Sequence, residues 1–526
     1  MISNDKDSMT TSLATALIDV PEGSSAQDCV PTRFESAVRI RLKKSLPLWL
    51  TVNTYWWLPT LMALVIIRYG AGRPVLGWDE LATLSAAPRS VGELVGLASN
   101  IDAVLTPYYL FMHFWIQLFG DSEVALRMPS ILSTAAAVGV TSMLARRLFS
   151  SKVALLTGLL LAVMPAITHY GQQARPYGFS LFFAVLATLL LFRALDHPSW
   201  WRWAGYGTAT ALLGLFHVLG LLLLLGHAAV MADHWRREGS WKERIAQRGP
   251  YLRWIAAVGV AVLFCLPLAS IGLGQRSQLF WLPPMEWRSL ENLPDGLFGS
   301  SAIGLVLMGV ALSARSHNRL VIGQLTAIAL LPVAGLYLMS FATPMWVPRY
   351  LIYTLAVWCL LAAVTMAGNR LGTLVIFALV LAIGVPSHQL LRQTVGQQQI
   401  DYRVAMRVIG QNYQPGDGIV YDPASAWSVR PAVRYYLPKN RPRDVLVTKT
   451  AAQDHSLDAQ ECARSEDCLR GVPRVWIFRP VSYNSTLDDF SGQVPRTLRR
   501  EYTLTMTWRV ANSTIEVYSR ASGSVT

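Results

Sequence analysis

Two adjacent carboxylates, Asp79 and Glu80, lie in the segment Gly77-Trp78-Asp79-Glu80. A carboxylate can accept the proton that a hydroxyl group loses when its oxygen attacks carbon, so both residues are candidates for catalysis. With Asp102, further along the chain, they form a set of hard oxygen ligands that can bind Mg²⁺ or Mn²⁺. A structural role is the alternative, because acidic side chains stabilise the N-terminus of a helix that begins where they lie.

Two arginines are candidates for binding a phosphate. Arg349 follows an aromatic and proline-containing segment, and Arg175 lies in the polar stretch of residues 168–178 (THYGQQARPYG). The planar guanidinium group of arginine matches two oxygens of a phosphate. Arginine and tyrosine also occur at membrane interfaces for purely structural reasons, so that interpretation stays open.

Further polar residues lie near these arginines or interrupt apolar sequence in the same way. The histidine at 217 stands alone between two apolar runs, where a structural role is the common one. The residues that we predict to contact substrate are Asp102, His169, Gln173, Tyr177 and His217.

The chain that must position these residues is unusually apolar. Its 526 residues are 52% hydrophobic and 15% charged, whereas soluble proteins average about 25% charged residues. The apolar runs fill residues 48–387, which predicts a membrane domain between an N-terminal tail (1–47) and a C-terminal domain (388–526). The net charge of +14 comes largely from residues that flank apolar runs, which indicates a membrane surface and no nucleic-acid partner.

A membrane-spanning helix needs roughly 20 apolar residues. We predict about eleven such helices, at residues 48–68, 126–145, 153–170, 177–195, 203–217, 219–233, 252–272, 299–314, 320–340, 349–367 and 371–387. The pair at 203–233 can also be one long tilted helix, which would invert the orientation of everything after it. Lys and Arg residues favour the two-helix interpretation, because it places most of them in cytosolic loops.

This orientation places the N-terminus in the cytosol and the C-terminal domain outside. Residues 106–120 (TPYYLFMHFWIQLFG) are too short and too polar to be a span, and we predict a helix that lies in the outer interface. Residues 69–125 then form one long outer loop, and loops of that length are commonly functional.

Four motifs in order carry a resemblance to a known family: Gly-Trp-Asp-Glu, the stretch Tyr-Tyr-Leu-Phe-Met-His through Arg-Met-Pro-Ser, Ala-Arg-Arg-Leu-Phe, and Gln-Gln-Ala-Arg-Pro-Tyr. Over residues 48–370 the chain resembles the GT-C membrane glycosyltransferases. Within them it is similar to bacterial relatives of protein O-mannosyltransferase and of the lipid A aminoarabinose transferase, and above all to actinobacterial mannosyltransferases.

The resemblance implies a sugar donor carried on polyprenyl phosphate and a reaction outside the cytoplasmic membrane. It assigns the catalytic base to Asp79 and places Gln173, Arg175 and Tyr177 on the active-site side. Many relatives have His-Pro-Pro-Leu-Tyr where this chain has Leu105-Thr106-Pro107-Tyr108-Tyr109, so the role of that histidine does not transfer. Metal dependence varies across the superfamily.

The C-terminal domain is predicted to be a small α/β domain with a partly parallel sheet. Its predicted strands are residues 418–421, 444–447, 474–478 and 516–518, with a helix at 426–437. Cys462 and Cys468 can form a disulfide if this domain faces an oxidising compartment.

Together these patterns predict an inverting glycosyltransferase of the cytoplasmic membrane, with a polyprenyl-phosphate sugar as donor and a protein, lipid or glycan as acceptor. The sugar is predicted to be mannose from the resemblance alone, and arabinose or aminoarabinose is the alternative. A flippase for lipid-linked saccharides is the main rival, but it should show ionisable residues near the membrane midplane. A non-catalytic assembly factor is the third hypothesis.

Overall fold

The structure, a computed structural model, describes residues 53–239, 248–316, 318–396, 400–480, 486–490, 493–510 and 512–521. The predicted cytosolic tail and the start of the first predicted span lie outside these residues. The described residues belong to one compact unit, Asn53–Thr526. The domain boundaries at residues 47 and 387 therefore stay predictions.

The apolar part of the chain is helical, because in hydrocarbon the backbone can satisfy its hydrogen bonds only internally. The α-helices are Thr54–Arg68, Trp78–Ala86, Val91–Asn100, Thr106–Phe119, Glu123–Leu148, Ser151–Ala162, Pro165–Gly171, Tyr177–Asp196, Trp200–Phe216, Leu223–Arg237, Gly249–Gly274, Leu293–Phe298, Ser301–Leu312, Arg319–Ala342, Leu355–Ala367 and Arg370–Leu391. Short 3₁₀ helices are Ala103–Leu105, Val218–Leu222, Arg276–Leu279, Trp287–Asn292 and Pro348–Thr354.

Within the described residues, seven helices are long and apolar enough to cross a membrane, and nine if each bent helix pair counts as one span. The bent pairs are Ser151–Ala162 with Pro165–Gly171, at 60°, and Trp287–Phe298 with Ser301–Leu312, at 93°. The helices Thr54–Arg68 and Trp200–Phe216 are shorter, with 15 and 17 residues. A polytopic helical membrane protein is thus confirmed, while the number eleven stays a prediction.

The segment at 203–233 forms two helices, Trp200–Phe216 and Leu223–Arg237, joined by the 3₁₀ turn Val218–Leu222. The first helix ends at His217, whose backbone is extended (φ −156°, ψ 93°). The Tyr206 hydroxyl of the first helix and His227 of the second are hydrogen bonded at 3.0 Å. This contact requires the second helix to return along the first, as the two-helix interpretation of the charge pattern predicts.

The helix Thr106–Phe119 has 14 residues and does not reach the length of a span. One side of it buries Tyr108, Tyr109 and Met112, while Leu118 is 77% exposed. A short helix with one buried side and an exposed apolar end fits the interfacial position that the sequence predicts.

The C-terminal part of the chain forms a mixed five-stranded sheet in the order β2-β1-β5-β7-β6 and a separate two-stranded sheet, β3-β4. The strands β1 to β7 are Gly418–Tyr421, Arg443–Asp444, Val447–Lys449, Gln460–Glu461, Arg474–Pro480, Tyr502–Val510 and Ser513–Arg520. The helices here are Tyr402–Asn412, Ala426–Tyr436, Ser465–Leu469 and Val494–Glu501, with a 3₁₀ turn at Leu487–Asp489.

The predicted partly parallel sheet is confirmed, since β1 is parallel to β2 and β5, and β7 is antiparallel to β5 and β6. The predicted strand at 444–447 is divided between β2 and β3, which belong to different sheets. Strand β6 was not predicted at all, although Tyr502–Val510 alternates threonine with larger side chains, which is the period of a strand.

One hydrophobic core is shared by the loop at residues 69–125, which is predicted to be an outer loop, and the C-terminal sheet. Leu81 and Leu94 from the loop are buried in the same cluster as Val429 and Trp476 from the C-terminal part. Each fully buried large apolar side chain contributes about 1.5–3 kcal/mol relative to an exposed one. The loop that carries Asp79 is therefore packed between the helical bundle and the sheet.

Candidate functional site

Asp79 lies in the first turn of the helix Trp78–Ala86, which begins after Gly77. Its side chain is 42% exposed, and its Oδ2 atom lies 3.8 Å from Nη2 of Arg349. These two residues are far apart in sequence and come from the predicted outer loop and from the end of a predicted span. The structure thus brings together the predicted base and the predicted phosphate ligand.

Arg349 is the second residue of the 3₁₀ helix Pro348–Thr354. Its guanidinium lies 6.0 Å from the centre of the Trp281 ring and 5.9 Å from that of Tyr350. The hydroxyl of Tyr177 faces the same guanidinium. The Nε atom of Arg349 is buried and has no hydrogen-bond partner among the described residues. The group is thus one-third exposed, lined by aromatic rings, and has donor capacity left for an anion.

Arg175 approaches Asp79 from the other side. Its Nη1 atom donates to the backbone carbonyl of Asp79 at 3.3 Å, and its buried Nε atom has no partner among the described residues. Burial lowers the pKa of Arg175, but the Asp79 carboxylate and the Tyr109 hydroxyl more than compensate and hold it well above its ordinary value. The site therefore contains two charged guanidinium groups around one exposed carboxylate.

The side-chain amide of Gln172 fixes the turn that carries Arg175. Nε2 of Gln172 donates to the carbonyls of Ile67 and Tyr69, at 2.5 and 3.1 Å. These carbonyls lie at and just after the C-terminus of the first helix, where backbone acceptors lack helical partners. The amide thereby connects the polar stretch 168–178 to the start of the predicted outer loop.

Asp102 is the second carboxylate near the arginines. Its backbone is left-handed (φ 57°), a conformation that aspartate tolerates better than most residues. Oδ2 of Asp102 accepts a hydrogen bond of 2.7 Å from the Tyr109 hydroxyl. Burial raises the pKa of Asp102, while the nearby Arg175 opposes that rise.

The predicted histidines and Gln173 complete the cluster. Nε2 of Gln173 and Nε2 of His169 lie 3.1 Å apart. His217 donates from Nε2 to the Tyr350 carbonyl at 3.1 Å, and its ring centre lies 6.3 Å from that of Tyr177. His217 thus holds the backbone next to Arg349, which is a positioning contact.

Glu80 differs from the prediction of a catalytic role. Its Oε1 accepts from Arg127 Nε (2.8 Å) and the Ala174 amide (2.9 Å), and its Oε2 accepts from Arg127 Nη2 (2.7 Å) and the Gly77 amide (2.9 Å). The side chains of Glu80 and Arg127 are 2% and 0% exposed. With four donors and no access to solvent, this carboxylate is arranged as a structural ion pair.

The predicted metal set of Asp79, Glu80 and Asp102 does not fit the geometry. Glu80 is saturated by four donors, and Asp79 faces an arginine. Among the described residues there is no group of three His, Cys, Asp or Glu side chains that can hold a metal ion.

Several site residues were not predicted from sequence. Trp281 and Tyr109 contact Arg349 and Asp102, and Arg127 holds Glu80. Arg127 lies in the helix Glu123–Leu148 with no exposed surface. An arginine inside an otherwise apolar helix is a signal for a buried partner.

Taken together, the arrangement can remove a proton and stabilise a new negative charge within one small region. An exposed carboxylate suits the first task, and two charged arginines with unused donors suit the second. The aromatic side chains of Tyr170, Tyr177 and Trp281 border the region. Such a border suits a ligand with an anionic head and an apolar chain.

The chain was compared with protein families, with curated protein sequences and with solved structures. The model of the family described as dolichyl-phosphate-mannose-protein mannosyltransferase matches residues 105–268. This range contains Arg175, His169 and His217 but neither Asp79 nor Arg349. Comparison with curated protein sequences gives no significant match.

Among solved structures, the chain is similar to ArnT from Cupriavidus metallidurans in the apo state. The TM-score is 0.60 at 14% identity, and the match covers 89% of this chain and 98% of ArnT. The structure of the same protein bound to undecaprenyl phosphate gives a TM-score of 0.56, again at 14% identity and with the same coverage. At this identity the likeness shows the fold. The resemblance seen in the sequence is confirmed: the chain has the fold of the GT-C membrane glycosyltransferases, and its residues 105–268 match the dolichyl-phosphate-mannose-protein mannosyltransferase family.

Proposed function

We propose that the protein is a membrane glycosyltransferase that moves a sugar from a polyprenyl-phosphate donor to an acceptor hydroxyl. The observation that carries this proposal is the 3.8 Å approach of the Asp79 carboxylate to the Arg349 guanidinium, with Arg175 beside them. At this spacing the base can contact the attacking acceptor hydroxyl while the phosphate ligand contacts the departing phosphate. ArnT, which has been solved with undecaprenyl phosphate bound, shares this fold and supports a polyprenyl carrier.

In the proposed reaction the acceptor oxygen bonds to the anomeric carbon of the sugar while the bond from that carbon to the phosphate oxygen breaks. Asp79 accepts the proton of the acceptor hydroxyl. The departing polyprenyl phosphate gains one negative charge, which Arg349 and Arg175 offset. A single displacement of this kind inverts the configuration at the anomeric carbon.

The residues around this centre have supporting roles in the proposal. His169, Gln173 and Tyr177 line the donor side next to Arg349, and Asp102 lies near Arg175. His217 holds the backbone at Tyr350 and so fixes the direction of the preceding arginine. A divalent metal has no part in this scheme.

We propose mannose as the sugar, since the matching family is described as a mannosyltransferase family. Arabinose or aminoarabinose is the second candidate, and the sequence resemblance to the aminoarabinose transferase supports it. The acceptor is a hydroxyl-bearing protein, lipid or glycan.

We further propose that the site faces outward from the cytoplasmic membrane, with the N-terminus in the cytosol. Cys462 and Cys468 form a disulfide in the C-terminal part of the chain. Disulfides persist in oxidising compartments outside the cytosol, so this pair supports an extracytoplasmic C-terminal domain. A reporter enzyme that folds only outside the cytosol, fused after residue 526, should be active.

The proposal is tested by incubating the purified protein with polyprenyl-phosphate mannose and a panel of hydroxyl acceptors. Release of polyprenyl phosphate with sugar transfer is expected. Replacing Asp79 by Asn should lower turnover by about 10²–10⁴-fold, the usual contribution of a general base. Asp121→Asn is the matched control, because this exposed aspartate lies in the same predicted loop. Equal turnover for both variants would contradict the role of Asp79, and movement of the intact donor across a bilayer without sugar release would indicate a flippase.

A further inference from the structure

The peptide segment that leads into the Asp79 helix is held by a side chain from the C-terminal part of the chain. The amide of Leu76 donates to the Tyr436 hydroxyl at 2.8 Å. Leu76 is fully buried and immediately precedes Gly77, after which the helix Trp78–Ala86 begins. A buried amide needs an acceptor, and here the acceptor comes from a residue 360 positions away in the sequence.

The same hydroxyl is itself anchored to the helical bundle. Tyr436 donates to Oε1 of Glu123 at 2.6 Å, so its oxygen accepts on one side and donates on the other. Burial, together with the charge of Glu123, raises the pKa of Tyr436 well above its ordinary value, which keeps the hydroxyl proton in place. The three groups form a chain from the loop backbone to the first residue of the helix Glu123–Leu148.

Arg403 adds a second set of bonds at this point. It pairs with Oε2 of Glu123 and donates to the carbonyls of Arg73 and Gly72, at 2.6 and 3.2 Å. Its guanidinium also lies 5.9 Å from the centre of the Tyr436 ring. One carboxylate thus holds both C-terminal side chains, which in turn hold the loop at residues 72, 73 and 76.

Arg127, from the helix Glu123–Leu148, holds the same loop segment. This arginine donates to the carbonyls of Ala71, Pro74 and Val75, at 2.6, 2.9 and 3.0 Å. The segment from residue 71 to residue 76 is therefore hydrogen bonded both to the helical bundle and to the C-terminal part of the chain. Its freedom to move without breaking hydrogen bonds is small.

We propose that Tyr436 and Arg403 are positioning residues for the transfer reaction, which act by fixing the direction of the Asp79 helix relative to Arg349. This inference rests on the proposed function, since it assumes that Asp79 is the base. Asp79 is in the first turn of that helix, so the backbone at residues 76 and 77 sets the direction of its side chain. A misplacement of about 1 Å in a reacting group can reduce rate as much as 10²-fold.

The inference also gives the C-terminal domain a role that needs no ligand of its own. The helix Ala426–Tyr436 packs on the helix Trp78–Ala86, and their apolar residues share one core. Apolar packing joins the two bodies, while the hydrogen bonds of Tyr436 and Arg403 fix their register.

The test combines two readouts on Tyr436→Phe in the full-length protein. Hydrogen exchange of peptides that cover residues 71–80 should become about tenfold faster, which corresponds to the loss of one hydrogen bond of ~1.4 kcal/mol. Turnover number should fall about 10- to 100-fold, while the affinity for undecaprenyl phosphate stays within twofold. The thermal midpoint of the whole protein serves to exclude general unfolding.

Tyr435→Phe is the matched control. This neighbouring tyrosine donates to the Asp121 carbonyl at 3.1 Å and, among the residues that the structure describes, forms no hydrogen bond to residues 71–76, so neither readout should change. Arg403→Lys keeps the charge next to Glu123 but not the planar fork, and should give an intermediate loss of turnover.

The outcomes separate this inference from the proposed function. Unchanged exchange at residues 71–80 in Tyr436→Phe shows that the Tyr436 hydroxyl does not hold this segment, whatever the activity. Faster exchange with normal turnover contradicts the positioning role. If the wild-type protein transfers no sugar, the proposed function fails, and the catalytic part of this inference fails with it. The exchange data still decide whether Tyr436 holds the segment at residues 71–76.

Discussion

Replacing Glu80 by glutamine should destabilise the folded protein strongly, whether or not this residue takes part in the reaction. The carboxylate accepts four hydrogen bonds, two of them from Arg127, and both side chains are buried. Glutamine offers one acceptor oxygen, so about half of these bonds are lost and its NH₂ group meets a donor. Removing one partner of a buried ion pair costs about 3–5 kcal/mol, which is a large part of the stability of most proteins.

The chain offers a matched control for this change. Glu93 occupies the same third position of a helix, Val91–Asn100, and its carboxylate accepts from the Ser90 amide and hydroxyl, both at 2.8 Å. Unlike Glu80 it is partly exposed and forms no ion pair with an arginine in the described part of the chain. Glu93→Gln keeps an acceptor oxygen at the cap and should cost less than ~1 kcal/mol.

The assay is thermal unfolding of the detergent-solubilised protein, followed by tryptophan fluorescence, together with release of polyprenyl phosphate by the fraction that remains folded. We expect a clear drop in midpoint for Glu80→Gln and almost none for Glu93→Gln. If Glu80→Gln unfolds like the wild type and yet has no turnover, the structural assignment of Glu80 is refuted and its predicted catalytic role is restored.

Three further predictions concern other parts of the site and of the sheet domain. Arg175→Gln should weaken binding of undecaprenyl phosphate about tenfold or more, since a bond to a charged group contributes ~1.5–3 kcal/mol; a titration in detergent measures this. Because burial raises the pKa of Asp102, its carboxyl favours folding at low pH, and this contribution is lost as pH rises from its ordinary pKa through the raised one. Asp102→Asn should therefore flatten the dependence of the thermal midpoint on pH above about 4, and an unchanged pH dependence would contradict that assignment. Reduction of the bond between Cys462 and Cys468 should lower the free energy of unfolding by about 2 kcal/mol, as measured by urea unfolding with and without reductant.

Much of the fold could be predicted because the membrane imposes a simple rule on sequence. Apolar runs became helices, and the polar break at His217 became the turn between two antiparallel helices. The two bent helix pairs could not be seen in this way, because a hydropathy pattern gives the length of an apolar run and not its direction. In the sheet domain, the buried strands β1 and β5 were readable as apolar runs, whereas the exposed strand β6 was missed.

The site was predictable in its charged residues and not in their partners. Asp79 stands out by residue type and by the resemblance, and Arg349 by residue type and by its place after an aromatic segment; the structure places the two side chains 3.8 Å apart. The ion pair of Glu80 with Arg127 could not be predicted, because it spans 47 positions and leaves no local pattern in the sequence. The contacts of Tyr436 and Arg403 also leave no pattern in the sequence, since they join residues that are 360 and 330 positions apart.

The most direct test of the account compares the binding of undecaprenyl phosphate to two variants under identical conditions. Arg349→Gln removes the guanidinium proposed to hold the phosphate, so binding should weaken by about tenfold or more. Asp79→Asn removes a negative charge 3.8 Å from that guanidinium, so binding should stay equal or become tighter even though sugar transfer is lost. If the aspartate variant binds the lipid phosphate more weakly, or if the arginine variant binds it as well as the wild type, the two residues do not act as base and phosphate ligand of one site.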